Sequence, residues 1–385
     1  MNRKKYIHIL LWILSFTIFL SSCSDPPSEP AGTIRQKLQA ALDDAFSAYG
    51  GKGISAAVVL PDGEVWLGTA HVEGSAPIAS SQVFWIASIT KMFTAALTLQ
   101  LIDEGKLGLD DPLSKFLPAY PFVDGSITIR QLLTHTSGVF DYSNHPRYDE
   151  IIDEDPMKIW RPEEIVTRLF AAPYFAPGAG WRYSSGGYVL LGMVIEKVTG
   201  NKVSQEFRRR FYEPLGLSRT FLDGEEPITA AFANFWADSN EDGIEEEIPV
   251  LSANRYSMTT SAYTAGALFS TAEDVAKWTD ALFGRKVVLS QEMLAHMLDF
   301  NTDLPEDFKS GWPGYGMGAG IFRPWMVNNA YAYGHGGWGA YEISATAYLP
   351  EHDMSVTVLL NSQNWTLWEK SMNALCRAAM EHFKP

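Results

Sequence analysis

Ser88-Ile-Thr-Lys91 sets a hydroxyl and an amine three residues apart, at the head of an apolar run over residues 93–102 that stops at Glu104-Gly105. A run apolar on nearly all sides predicts a buried helix, with Gly105 as its C-terminal stop. Residues three apart on a helix share a face, so the two side chains meet. A serine at a helix N-terminus sees unpaired backbone N–H groups and the positive end of the helix dipole. A lysine shielded from water beside it sheds its proton more readily and can act as a base. Serine with an adjacent base is the minimal activated nucleophile. The spacing alone also describes a helix cap followed by a surface lysine, so the partners elsewhere in the chain decide.

Two glycine-rich turns offer such partners. Pro177-Gly-Ala-Gly-Trp-Arg-Tyr-Ser-Ser-Gly-Gly-Tyr188 carries Tyr183, Ser184 and Ser185 into the apolar run 189–198, and Gly334-His-Gly-Gly-Trp-Gly339 precedes a hairpin. The elements that must position these segments read from periodicity. Ile34, Leu38, Ala41, Leu42, Ala45, Phe46 and Tyr49 recur at helical spacing and end at Gly50-Gly51. Residues 55–60 and 64–69 flank Pro61-Asp-Gly63 as a hairpin, and 343–349 and 354–360 flank 350–353 as a second. Trp368, Met372, Leu375, Cys376, Ala379, Met380 and Phe383 form a closing amphipathic helix. Helix-hairpin at one end and hairpin-helix at the other predict one antiparallel sheet covered by both terminal helices, an α+β fold. Its sheet lobe takes about 34–85 and 300–385, and a largely helical lobe about 86–300. A cleft between lobes is a favoured small-molecule site.

The N-terminus reads as a processing signal over residues 1–22. Asn2-Arg-Lys-Lys5 is a basic stretch, 7–20 an apolar one too short for a spanning helix, and Leu20-Ser-Ser-Cys23 resembles the lipobox of bacterial lipoproteins. That reading makes Cys23 the lipidated first residue, 23–33 a proline-rich tether, and 34–385 the folded domain of a protein held in the cell envelope at a membrane, inner or outer. Cys376, the only other cysteine, is then a small buried hydrophobe without a disulfide partner. Losing Arg3, Lys4 and Lys5 with the signal takes the formal charge from -15 to -18. An acidic surface disfavours nucleic acid and anionic lipid as direct partners.

Taken together the motifs form an ordered set. Phe84-Trp-Ile-Ala-Ser-Ile-Thr-Lys91, Ile127-Thr-Ile-Arg-Gln-Leu-Leu-Thr-His-Thr-Ser-Gly138, Tyr183-Ser-Ser185, Gly266-Ala-Leu-Phe-Ser-Thr-Ala-Glu-Asp274, His335-Gly-Gly337 and Tyr348-Leu-Pro350 resemble, in order and spacing, the serine hydrolases of the class C β-lactamase and penicillin-binding protein superfamily. The similarity is greatest to its D-alanyl-D-alanine carboxypeptidase, D-amino-acid peptidase and esterase branch. The resemblance implies a Ser88 nucleophile that is acylated, Lys91 and Tyr183 as general base and acid, and an oxyanion hole of the Ser88 and Trp338 backbone N–H groups. It implies no metal and no organic cofactor. Tyrosine is a poor base at its ordinary pKa near 10, so two cationic neighbours are expected to lower it. Gly336 and Gly337 are expected where a strand lies along substrate and leaves no room for side chains.

Two departures bear on substrate. Ser185 stands where the family usually has an asparagine that reaches the lysine and the substrate's amide. His335 stands where class C β-lactamases have lysine, so a partial charge is expected to hold a substrate carboxylate less firmly as pH rises, and His335→Lys to raise reactivity toward β-lactams. The leading expectation is a monomeric D-amino-acid peptidase, D-alanyl-D-alanine carboxypeptidase-like, acting on cell-wall peptides such as peptidoglycan stems. A carboxylesterase or transesterase is the rival, followed by a weak β-lactamase and a non-catalytic binder of cell-wall peptide. His135-Thr-Ser-Gly138 is read as a structural turn, and Gly314-Tyr-Gly-Met-Gly-Ala-Gly320 as a packing segment. The chain contains neither Gly-x-Ser-x-Gly nor His-Glu-x-x-His, which disfavours an α/β-hydrolase and a zincin. Asp238-Ser-Asn-Glu-Asp-Gly243 opens like a calcium loop, but Pro249 replaces the closing glutamate, so it reads as a solvated acidic loop. Trp181, Trp338, Tyr142 and Tyr341 neighbour the motifs and are expected to line the cleft.

Overall fold

The computed structural model describes residues 32–238, 245–248, 256–309 and 311–383. The signal and lipobox, and all of the candidate calcium loop except Asp238, lie outside these residues. Helix α1 (Ile34–Tyr49) starts at a capping box in which Thr33 and Gln36 satisfy each other's backbone N–H groups. Strands β1 (Gly53–Val59) and β2 (Val65–His71) follow as a hairpin. The middle of the chain holds α2 (Thr90–Asp103), α3 (Ser185–Thr199) and α4 (Ala272–Thr279), with shorter helices between them. Strands β3 (Gly320–Ile321), β4 (Tyr333–Trp338), β5 (Ile343–Leu349) and β6 (Met354–Leu360) lead into α5 (Trp365–His382). The six strands form one antiparallel sheet in the order β2-β1-β6-β5-β4-β3.

The pleat divides each strand between two cores. Ala56, Val58, Ala345, Ala347, Val356 and Val358 pack with Leu38, Leu42, Leu367, Leu375 and Cys376 of the terminal helices. Ala57, Val59 and Leu359 join the opposite core, which runs on into α2 and α3. The terminal helices therefore cover one face of the sheet, as the periodicity predicts. The other face is covered by α4, drawn from the middle of the chain and packed on β1 and β6. Polar strand residues are used to seat it: Ser355 Oγ donates to the Ala276 carbonyl (3.0 Å), and Thr346 Oγ1 sits between those of Thr279 (2.6 Å) and Thr357 (2.8 Å). Trp278 of α4 stacks on Phe93 of α2 at 3.9 Å, both fully buried. That contact fixes α2, and the site it carries, relative to the sheet.

Cys376 is fully buried and its thiol is pushed up to about 12 by desolvation, in line with a core role. The glycines of 314–320 are packing glycines. A Cβ on Gly316 would meet the Met297 carbonyl at 2.3 Å, and one on Gly318 would meet Ala95 at 2.7 Å.

Candidate active site

Ser88 is held from both sides of its backbone. Phe84–Trp85 pairs with Leu268–Ser270, and Ile86 N donates to the Leu268 carbonyl at 2.9 Å. Thr90 Oγ1 then donates to the Ala87 carbonyl (2.6 Å) and accepts from Leu268 N (3.2 Å). Between these ties Ala87 takes φ 44°, a left-handed conformation that costs a residue with a Cβ about 1–2 kcal/mol. Ser88 follows in a 3₁₀ turn, Ala87–Ile89, and α2 begins only at Thr90, so the serine sits just before the helix. Such strain persists only where surrounding structure enforces it.

Lys91 lies on the same face one turn on and is fully buried. Its Nζ donates to Ser88 Oγ at 3.0 Å and to the Ala265 carbonyl at 2.8 Å. Burial holds its pKa down to about 7, against an upward pull from the Asp141 carboxyl. A large share of Lys91 is then neutral near pH 7, and the neutral amine accepts the serine proton through its lone pair while Ala265 holds one N–H.

Tyr183 completes the group. Lys91 Nζ stands over its ring, 4.9 Å from the centroid, and the phenol lies near enough to the Ser88 hydroxyl for the serine to lower its pKa. Here the structure corrects the sequence expectation. Burial drives the phenol's pKa far up, and the nearby Ser88 hydroxyl pulls it back only in part. Lys91, its own charge suppressed by burial, is not among the groups that shift the phenol. Tyr183 is a neutral phenol, suited to donate or relay a proton, and Lys91 is the group placed to accept one. The His135 turn, read as structural, is the bed on which this tyrosine lies. His135 is buried at 4.4 Å from the Tyr183 ring, and its Nδ1 accepts from Ser184 N at 3.2 Å.

Strand β4 runs beside the serine. A Cβ on Gly337 would fall 2.2 Å from the Ile86 carbonyl and 3.0 Å from Ser88 N. Close approach to the Ser88 segment is by itself enough to require a glycine there. At Gly336 a Cβ would meet its nearest neighbours at 3.4–3.5 Å, ordinary contact. Ser344 Oγ, on β5, lies 2.9 Å from the Ile86 carbonyl and 3.2 Å from that of Gly337, pinning the two segments together. Gly339 N donates to the Glu342 carbonyl, with Trp338 opposite Ile343 in register. Antiparallel pairs alternate between bonded and non-bonded. The Trp338 N–H therefore points away from β5, toward the side on which Ser88 lies.

His335 departs from expectation. It is 3% exposed and does not line the cavity at Ser88. One ring nitrogen, Nδ1, contacts the Gly336 carbonyl, so it must be the donor, and Nε2 accepts from Tyr315 Oη at 2.8 Å. Burial, helped by Lys91, lowers its pKa to about 3. His335 is a neutral packing group and carries no charge for a carboxylate.

The cavity at Ser88 has a volume of about 730 Å³. Tyr142, Tyr341, Trp338, Tyr183 and Ser185 line it as expected, and so do three aspartates that the sequence reading passed over, Asp141, Asp149 and Asp153. Asp149 and Asp153 are four apart on the helix Tyr148–Asp153, a spacing that could have flagged them. Among the described residues lining this cavity there is no lysine, arginine or histidine. Asn144 was also missed. It lines the same cavity as Ser185, and its Nδ2 donates to Tyr174 Oη at 3.2 Å. Trp181 lines a second chamber, of about 460 Å³, that shares Asp141, Asn144 and Tyr183 with the first. Among the described residues no cluster of His, Cys, Asp and Glu could hold a metal ion.

A serine bonded to a desolvated lysine, a neutral phenol beside it, and two backbone N–H groups converging from different elements form a site for acyl transfer. The comparisons agree. A profile of the beta-lactamase family matches residues 34–377. Penicillin-binding protein 4* of Bacillus subtilis (strain 168) is 26% identical over 320 residues, 79% of this chain and 66% of that protein, just under two thirds of its length. Esterase EstB of Burkholderia gladioli is 31% identical over 281 residues, 66% of this chain and 71% of the esterase. D-amino acid amidase from Ochrobactrum anthropi SV3, in complex with L-phenylalanine amide, superimposes with a TM-score of 0.78 at 26% identity over 92% of this chain and 100% of the amidase. The sequence blocks, the fold and these relatives lead to one conclusion: the chain belongs to the beta-lactamase family and is a serine hydrolase of the β-lactamase/transpeptidase fold.

Proposed function

We propose that the protein hydrolyses the bond that follows an N-terminal D-amino acid, in an amide, peptide or ester, through a Ser88 acyl-enzyme. The observation that carries this reading is the charge of the cavity wall at Ser88: Asp149 and Asp153 line it beyond Asp141, which faces Lys91, and no lysine, arginine or histidine stands among the described lining residues. An α-ammonium is attracted to the side of the cavity that Asp149 and Asp153 line, and a carboxylate is repelled from it. The D configuration rests on the likeness to the D-amino acid amidase. The expected carboxypeptidase action would need a cation for the terminal carboxylate, and His335 is neutral and turned away.

In this reading neutral Lys91 takes the Ser88 proton as Oγ bonds to the carbonyl carbon. The carbonyl oxygen takes the electron pair and is held by the Ser88 and Trp338 N–H groups. As the bond to the leaving atom breaks, Tyr183 gives that atom its proton and is resupplied by Lys91. Water then attacks the ester by the same route. An esterase remains the second reading, favoured by the Ser185 hydroxyl in the wall and by the likeness to EstB. We place the enzyme in the envelope, tethered through Cys23, on the lipobox-like Leu20-Ser-Ser-Cys23.

The test compares D-alanine p-nitroanilide, its L enantiomer, its N-acetyl derivative and p-nitrophenyl acetate, with wild type and Ser88→Ala. Preference of at least tenfold for the free D-amine, abolished in Ser88→Ala, is expected. Preference for the acetylated substrate, or turnover of the acetate ester alone, refutes the amine reading. Loss of radiolabelled lipid from a Cys23→Ala protein, against incorporation in wild type, tests the anchor.

A further inference from the structure

The Lys91 amine is held by a segment that has supports of its own. The short turn Tyr263–Gly266 presents the Ala265 carbonyl to Lys91 Nζ at 2.8 Å. Its first residue, Tyr263, takes φ 39°, a left-handed conformation that a bulky side chain adopts only where its surroundings enforce it. Thr264 Oγ1 donates to the Tyr188 carbonyl of α3 at 2.8 Å, and Trp85 Nε1 donates to the Gly266 carbonyl at 2.5 Å. A Cβ on Gly192 of α3 would fall 2.2 Å from Thr264 Oγ1 and 2.5 Å from the Tyr263 ring, so that glycine lets the turn come this close.

The remaining support comes from the helix that carries the lysine. Thr94 lies three residues after Lys91 on α2, on the same face, and its Oγ1 donates to the Thr264 carbonyl at 2.7 Å. Lys91 and Thr94 are thus successive rungs from one helix to two successive carbonyls, Ala265 and Thr264. A threonine inside a helix has an acceptor of its own in the carbonyl four residues back. Thr98, one turn further on, uses that acceptor at 2.8 Å. For Thr94 the same bond, to Thr90, is 3.3 Å, and the shorter bond leaves the helix for the turn. Thr94 and Thr264 are both fully buried.

The consequence lies in the rotation of the amine. Neutral Lys91 has two N–H groups and one lone pair, and it takes the Ser88 proton only through the lone pair. A carbonyl fixed at 2.8 Å holds one N–H and stops the amine from turning freely. A carbonyl that drifts lets the lone pair turn away from the hydroxyl. We infer that Thr94 is a positioning residue of the acyl-transfer step: by tying the Thr264 carbonyl to the lysine's own helix it fixes the Ala265 carbonyl, and through it the direction of the Lys91 lone pair at Ser88 Oγ. The inference rests on the Ser88–Lys91 reading above. Thr94 does not line the cavity at Ser88 and neither gives nor takes a proton in the reaction.

The experiment labels Ser88 with an alkyl fluorophosphonate, a serine-directed reagent that needs no amino-acid recognition. Oγ bonds to phosphorus as fluoride leaves, and the serine proton passes to Lys91. Intact-protein mass spectrometry gives the labelling rate between pH 6 and pH 9 for wild type, Thr94→Val, Thr94→Ala and Thr94→Ser. Valine keeps the shape without the hydroxyl, alanine removes the hydroxyl without filling the space, and serine keeps the hydroxyl. The wild-type rate is expected to rise through about pH 7 to a plateau. Valine and alanine should each slow labelling by about tenfold or more, and serine by less than about threefold. The deficit should persist at pH 9, where the amine is neutral in every variant, because orientation and not protonation is lost. Labelling of Thr94→Val or Thr94→Ala at the wild-type rate, a deficit that vanishes at pH 9, or an equal loss in Thr94→Ser would each overturn the inference and leave the Ser88–Lys91 reading standing. A wild type that the reagent does not modify at Ser88 overturns both.

Discussion

Replacing Lys91 by methionine should abolish activity and yet stabilise the protein in acid. The lysine is wholly buried and its pKa is held down to about 7 from 10.5, chiefly by desolvation. At about 1.36 kcal/mol per pKa unit that shift corresponds to roughly 5 kcal/mol of strain on the charged form. Because the folded value is the lower one, the unfolded chain binds more protons between about pH 7 and 10.5. Stability therefore rises with pH across that window, and the cost is fully expressed below about pH 7. Methionine of similar shape removes a cost of roughly 5 kcal/mol at pH 6 but only roughly 2 kcal/mol at pH 9. Against this stands a loss that does not depend on pH. The Ala265 carbonyl and Ser88 Oγ lose their partner, at about 1–3 kcal/mol. The expected balance is a net gain of about 2–4 kcal/mol at pH 6 that nearly vanishes at pH 9. Guanidinium unfolding of both proteins at the two pH values measures it. An equal stability difference at pH 6 and pH 9 would refute a desolvated Lys91. In the wild type the same titration should make kcat/KM climb through about pH 7 as Lys91 loses its proton.

Other perturbations separate the remaining parts of the site. Ser344→Ala unpins the Ile86 and Gly337 carbonyls. It should lower kcat by about tenfold with little change in KM, at a stability cost of about 1 kcal/mol in denaturant. Gly337→Ala forces a methyl against the Ile86 carbonyl, so β4 and Ser88 must separate and kcat/KM should fall by about 10²–10³; activity near wild type would mean the oxyanion geometry lies elsewhere. His335→Lys, which the sequence suggests would promote β-lactam acylation, should instead bury a second amine close to Lys91, lower the melting temperature and give no faster penicilloyl adduct by mass spectrometry.

Much of this molecule was legible in one dimension because its signals are local. Helical and two-residue periodicities located α1, both hairpins and α5, since each element buries a stripe or a face of its own. The spacing of Ser88 and Lys91 predicted their contact, because neighbouring positions on a helix turn meet whatever the rest of the chain does. Order and spacing of six motifs carried the family.

What the tertiary structure decided are quantities that depend on surroundings. Whether His335 is charged follows from its depth, its Tyr315 and Gly336 partners and the nearby Lys91, and no spacing encodes those. The phenol of Tyr183 went the opposite way from expectation for the same reason, since desolvation outweighs the pull of the Ser88 hydroxyl. The aspartates at 141, 149 and 153 are ordinary surface types in the sequence, and only the fold turns them toward the cavity at Ser88. The sequence by itself determined the family, the Ser88–Lys91 contact and which elements carry the candidate groups. The tertiary structure decided their protonation and the charge of the space around them, because burial and long-range electrostatics belong to the packed chain and not to any segment of it.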